Sequence, residues 1–499
     1  MLFHSWQFVF VFLPVVLAGF FLIGRTRRDL AIAWLVVGSL VFYAFGTAAH
    51  LALIAGSVAF NFAAGAAIRA RRRDGAWDAA RHITIAAVAA NLLLLGFFKY
   101  ANFFVDNVNE IGGAGFGAID LILPLAISFF TLQQIAYLVD VYKGLAEETS
   151  FLHYCLFVTF FPQLIAGPIV HHSEMLPQFR RATPFRFHAG DFSEGLTIFL
   201  LGLFKKAIIA DSLAVYADPV FAATAEGAEP GFYAAWTGTL AFGFQIYFDF
   251  SGYSDMAIGL ARMMSIRLPV NFAAPYLASN IIEFWRRWHI TLSRFLRDYL
   301  YVPLGGNRHG AARRYVNLMA TMLIGGLWHG AAWTFVLWGG LHGLYLVVNH
   351  GWRRVIGDLS LGAAAGIARA VSVAFTFLAV TVAWVPFRAE NLATAQRMYE
   401  GMVGFHGAAL PAQLVDLVPA LGLIATVEGY VPLLGGGTIL GLTEMTLLLL
   451  LCFVVVFSGS TLHELSQRQR VGLLVLTGAF TIQKVVFGSA ASEFIYFRF

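Results

Sequence analysis

The chain carries little charge. Of its 499 residues only 12% are Asp, Glu, Lys or Arg, while 59% are hydrophobic. A soluble domain has roughly 25% charged residues. A soluble globular class is therefore excluded, and a polytopic integral membrane protein is indicated. Cysteine is almost absent. Cys155 and Cys452 both lie in apolar runs, which excludes a disulfide framework. Neither has the polar surroundings that a reactive thiolate needs, so both are expected to pack as small apolar groups. There is no HExxH pair and no GxSxG elbow, so the usual marks of a helix-borne zinc site and of a serine hydrolase are missing. There is also no long polar segment to separate two cores, no internal repeat and no low-complexity tract. One membrane-embedded domain over 1–499 is expected, with N-terminal spans in 1–150, a catalytic core in 151–350 and C-terminal spans in 351–499.

What the chain has in abundance is long apolar runs. They fall near 6–23, 30–48, 50–68, 82–98, 118–139, 151–170, 193–215, 232–250, 317–349, 366–387, 415–434, 441–458 and 471–488. A span needs roughly 17–25 residues, so an all-α protein with about 11–13 transmembrane or re-entrant segments is expected. The first run is too long and too aromatic for the core of a cleaved signal peptide and is read as the first span. Arg25, Arg27 and Arg28 follow it, and Arg69 and Arg71 to Arg73 follow the third run. By the positive-inside bias the N-terminus lies outside and the odd-numbered spans end inside. Beyond residue 150 the parity becomes ambiguous.

The middle of the chain is basic and aromatic at once. Residues 280–310 read "NIIEFWRRWHITLSRFLRDYLYVPLGGNRHG". Between 283 and 314 there are seven arginines against Glu283 and Asp298, an excess of five that equals the net charge of the whole chain, +5. Two readings stay open here: the ordinary bias of cytoplasmic loops, and a site for an anionic ligand or headgroup. The pattern suits an amphipathic helix at the membrane interface. Nucleic-acid binding also uses such residues, but it is set aside for so hydrophobic a chain.

Ionisable residues at membrane depth mark functional sites by default. Residues 322–343 read "MLIGGLWHGAAWTFVLWGGLHG" and hold His329 and His342. Histidine is also the side chain best matched to proton transfer near neutral pH. Gly325, Gly326 and Gly330 flank His329 and would admit another backbone or an elongated ligand. His342 follows 13 residues later, about 20 Å along a continuous helix. The two cannot share a metal unless the chain breaks between them, and no metal site is expected. His342 is read as structural. His289 sits among Arg286, Arg287, Arg294 and Arg297, where an imidazole is expected to stay neutral. In "FPQLIAGPI", 161–169, Pro162 and Pro168 break an apolar run, as is tolerated where backbone is buried or lines a cavity. In "IYFDFSGYSDMAIG", 246–259, Asp249 and Asp255 are too far apart in phase for a dyad. They are expected to pair with arginines or to cap a helix after Gly252.

These stretches, in this order, strongly resemble the membrane-bound O-acyltransferase (MBOAT) superfamily, in its bacterial branch that acetylates exported polysaccharides. The likeness is carried by 161–169, 246–259, 271–310 and 325–343, and extends more weakly over most of 1–400. The resemblance implies a ring of transmembrane helices around a central tunnel in the bacterial inner membrane. It implies that His329 is the catalytic base and that His289, at a position that is often Asn in other branches, orients the thioester or its oxyanion. Trp328, Trp285, Asn280, Arg286 and Arg287 would contact the substrate. No cofactor would be bound. The donor would be acetyl-CoA or an acyl-carrier thioester, and a periplasmic SGNH-type partner could pass the acetyl group on. The final acceptor stays open among alginate, cellulose, another exopolysaccharide and peptidoglycan. The rival reading, a transporter or flippase for a polymer precursor, would call for paired repeats and broken helices in both halves.

Overall fold

A computed structural model describes the chain apart from residues 181–184, 357–364, 408–409, 412–426, 429–438, 460, 488–493 and 496–499. The fold is helical. Among the described residues the one β element is a parallel pairing of Leu410–Pro411 with Val427–Glu428. The apolar runs become helices Leu13–Gly24, Arg28–Thr47, Leu51–Arg73, Trp77–Gly112, Ile127–Lys143, Ala365–Arg388, Ile439–Phe457 and Gln467–Phe487. The run near 415–434 lies mostly outside the described residues. Among them, four helices are long and apolar enough to cross a membrane on length and composition alone: Arg28–Phe45, Ala48–Arg73, Trp77–Gly112 and Ala365–Arg388. Other long helices carry buried polar groups that dilute their apolar character. Phe232–Met263 holds Gln245, Asp249, Ser251, Ser254 and Asp255, all buried.

The chain forms two compact units. One contains Met1–Phe204, Gly252–Asn271 and the segment from Ser466 onward; the other contains Lys205–Ser251 and Phe272–Leu465. In the first, Leu51–Arg73 and Trp77–Gly112 are tied by a reciprocal amide pair, Asn61 to Asn91, at 3.1 and 2.7 Å. Such pairs join helices where lipid offers no other partner. The run at 151–170 does break. Phe151–Thr159 ends, and Phe161–Leu164 starts with Pro162 in its first turn. The amide freed at Phe161 donates to Ser39 Oγ (3.0 Å), and the Phe157 carbonyl accepts from Gln133 and Gln163. Buried polar side chains thus satisfy the broken backbone, the condition for irregular structure at membrane depth.

Three expectations are corrected. Phe232–Met263 is one continuous helix, so no cap follows Gly252. Asp249 pairs with buried Lys206 at 2.7 Å, not with an arginine, and Lys206 also binds Asp211 at 2.7 Å. Lys206 thus stands between two carboxylates within one unit. Residues 280–310 do not form one interfacial helix either. They make two short helices, Ile281–Arg287 and Ile290–Leu296, with a wider-wound turn at Arg297–Tyr301. The break falls on His289, whose φ of 42° is left-handed.

Candidate active site

His329 is the last residue of helix Gly310–His329. Gly330 is extended, and the next helix, Trp333–Ile356, packs back against the first. The long run at 317–349 is therefore a helical hairpin that turns at the histidine. Glycine makes the hairpin tight. A Cβ on Gly326 would strike the Phe335 carbonyl and one on Gly339 would strike the Met322 carbonyl, while Gly330 lies on the Phe335 ring and Gly325 faces Leu296. The glycines around His329 thus admit a neighbouring backbone, and the room expected there for a donor arm is already filled by protein.

The hairpin sets His329 in a cage of rings. Its imidazole is buried and lies 4.9 Å from the ring of Trp328, 5.0 Å from Trp338 and 5.2 Å from Phe387. His289 is wholly buried and lies 4.7 Å from Phe250, 6.4 Å from Phe272 and 6.5 Å from Trp328. Trp328 therefore neighbours both histidines, and the structure places the two near one indole across the forty residues that separate them in sequence. His342 is wholly buried and shares Trp338 with His329, at 4.8 Å. Neither of its ring nitrogens has a hydrogen-bond partner, and the same holds for Nε1 of Trp285 and of Trp338. The chain break between His329 and His342 does occur, and both rings pack against Trp338. Sequence reasoning missed Trp338 and Phe387 as walls of this site, and Trp384, whose ring lies 6.3 Å from His342 and 6.1 Å from Trp338. A tryptophan or phenylalanine in an apolar helix carries no signal of what it faces.

The residues expected to contact substrate divide into two groups. Trp285 joins the cage, 5.1 Å from His342 and 5.8 Å from Trp338. Arg286 is exposed. Asn280 and Arg287 are engaged in building the short helix. Asn280 Oδ1 caps it by accepting from the Glu283 amide at 3.0 Å, and Arg287 donates to Glu283 Oε1 at 2.6 Å. Glu283 also accepts from the Ser279 amide and hydroxyl, both at 2.8 Å. Partial burial pushes the Glu283 carboxyl upward, but the hydrogen bonds from Ser279 and the Arg287 guanidinium outweigh it and hold the group below the ordinary carboxylate range.

The helical fold thus holds two buried histidines beside one indole. Comparison with known proteins gives the family. Residues 145–387 match the model of the membrane-bound O-acyltransferase (MBOAT) family. The chain is 40% identical to a peptidoglycan O-acetyltransferase of Helicobacter pylori over its whole length and 98% of that protein. It is 45% identical to a probable alginate O-acetylase, AlgI, of Pseudomonas aeruginosa, over 81% of this chain and 75% of that one. A teichoic acid D-alanyltransferase of Bacillus subtilis is 27% identical over 46% of this chain and 59% of its own. The chain belongs to the MBOAT family. It is a multi-pass membrane enzyme and an O-acyltransferase.

Proposed function

We propose that this enzyme takes an acetyl group from a cytosolic thioester, acetyl-CoA or an acyl-carrier protein, and delivers it across the inner membrane for O-acetylation of an exported glycan. The observation that carries the reading is the juxtaposition of His329 and His289 at Trp328 inside a buried ring cage. His329 acts as general base. It takes the proton of an acceptor hydroxyl as that oxygen attacks the thioester carbonyl, the new C–O bond forms, the C–S bond breaks, and the proton passes to the departing thiolate. His329 ends its helix, so the negative end of the helix dipole favours the transient imidazolium by about 0.3–1 kcal/mol. His289 steadies the carbonyl oxygen as it gains charge. The unpartnered polar atoms of His342, Trp285 and Trp338 suit the amides of a pantetheine-like arm, because a buried polar group without a partner costs about 1–3 kcal/mol. Exposed Arg286 suits the donor's anionic end.

The first acceptor is a hydroxyl of a periplasmic SGNH-type partner, or of the glycan itself. The relatives named above act on peptidoglycan and on alginate, so a cell-wall glycan and an acidic exopolysaccharide are the two acceptors to compare. The test is to replace His329 with Ala and measure ester-linked acetate on both polymers in cells. Acetate on one of them should vanish while the variant is still inserted. Full acetylation of both by a stably inserted variant would remove the reading.

A further inference from the structure

A second histidine cluster lies in the first unit, among groups the acyl-transfer reading does not use. Asp140 stands in the last turn of helix Ile127–Lys143, and its backbone carbonyl is held by the amides of Leu145 and Ala146. His171 and His172 begin the helix His172–Phe179. The Nε2 atoms of both histidines converge on one oxygen, Asp140 Oδ2, at 2.6 and 3.0 Å. The three donor atoms lie within 4.8 Å of one another. The Asp140 and His172 side chains are 3% and 5% exposed, while His171 is 24% exposed, which gives a protected floor and one open side. His171 Nδ1 is 2.6 Å from Ser173 Oγ. Nδ1 also accepts from the Ser173 amide at 3.4 Å, which puts the proton on Nε2 facing Asp140; a metal on Nε2 would move that proton to Nδ1, where Ser173 Oγ can accept it and hold the ring's orientation.

We infer that Asp140, His171 and His172 form a binding site for a divalent transition-metal ion, Zn2+ foremost. Two imidazoles and one carboxylate are a donor set that Zn2+ takes, with bonds of about 2.0–2.2 Å and water in the fourth position. Donor atoms around such an ion stand about 3.3 Å apart by the same geometry. The spacings at Asp140, 2.6 and 3.0 Å, need to open by about 0.7 and 0.3 Å to admit it. Ligation would join the end of Ile127–Lys143 to the segment that follows "FPQLIAGPI", and so fix the buried chain break at Phe160.

The experiment uses the full-length protein in detergent without an affinity tag. It is stripped with chelator, dialysed against buffered Zn2+ and assayed for bound metal, and a parallel sample is loaded with Co2+ and examined by visible absorption. About one equivalent of Zn2+ and the d–d bands of four-coordinate Co2+ are expected. His171→Gln, at the partly exposed position least able to disturb folding, and Asp140→Asn should each lose at least tenfold in affinity, while His329→Ala keeps the site. Zn2+ binding equally strong in His171→Gln and in the unaltered protein would overturn the assignment. So would a Co2+ spectrum of octahedral aquo type, which would leave the cluster as a hydrogen-bonded carboxylate only.

Discussion

His289 occupies a left-handed backbone position between two short helices, and the cost of that conformation depends on the residue. Non-glycine residues rarely adopt it, but Asn and His are several-fold enriched there. His289→Asn therefore keeps both the backbone geometry and a hydrogen-bonding group. It should fold, insert and retain partial activity, with a loss at or below the roughly 10²–10³-fold that removal of one oxyanion donor costs. His329→Asn also retains hydrogen bonding but cannot take a proton, and should lose about 10²–10⁴-fold. The check is acetyl transfer by purified, folded variants at several pH values. An active His329→Asn beside a silent His289→Asn would reverse the two roles. Both histidines were legible from sequence because an ionisable residue in a greasy run stands out. The cage around them was not, because Trp338, Trp384 and Phe387 look like any other buried aromatic until the hairpin and Ala365–Arg388 bring them together.

Among elements, the hairpin of Gly310–His329 and Trp333–Ile356 depends on glycine where backbones meet. Gly326→Ala would press a methyl group into the Phe335 carbonyl. Overpacking of this kind costs roughly 1–3 kcal/mol, so the detergent-solubilised variant should show a lower thermal midpoint, with activity falling as His329 shifts. Gly340→Ala, which meets only the end of the Leu323 side chain at 3.7 Å, should be near neutral in the same melt. The short helix Ile281–Arg287 separates two arginines that look alike in sequence. Arg287 is bound to Glu283, whereas Arg286 is exposed. Arg286→Gln should raise the apparent KM for the thioester more than it lowers kcat. Arg287→Gln should act mainly through the helix, by loosening its pair with Glu283. Equal effects of both on KM would point to a general field of charge rather than a contact. Of the early spans, Arg28–Thr47 and Leu51–Arg73 begin within two residues of their apolar runs, 30–48 and 50–68, whereas Trp77–Gly112 extends well past the run at 82–98 because its polar ends continue the helix. The breaks at Phe160, His289 and Gly330 were placed less well. Each depends on partners far along the chain, such as Ser39 for the Phe161 amide.

At the scale of the whole molecule, the reading needs the donor and the acceptor on opposite sides of the membrane, which requires a definite sidedness for the basic middle of the chain. By the positive-inside bias, the arginine clusters after the first and third runs call for an outside N-terminus. The seven arginines of 283–314 favour the cytosolic side on the same bias, the side on which the proposed thioester donor would meet the enzyme. The two native cysteines make a direct test practical, since Cys452 is buried and Cys155 only partly exposed. In a background with both replaced by alanine, Arg286→Cys gives a single reporter at an exposed position. A membrane-impermeant maleimide should label it in inside-out vesicles and leave it unlabelled in intact spheroplasts. The thioester donor should slow that labelling if Arg286 contacts its anionic end. Labelling from the outside would turn the molecule over. The basic stretch would then face the acceptor polymer, and the donor's anionic end would have to be held elsewhere.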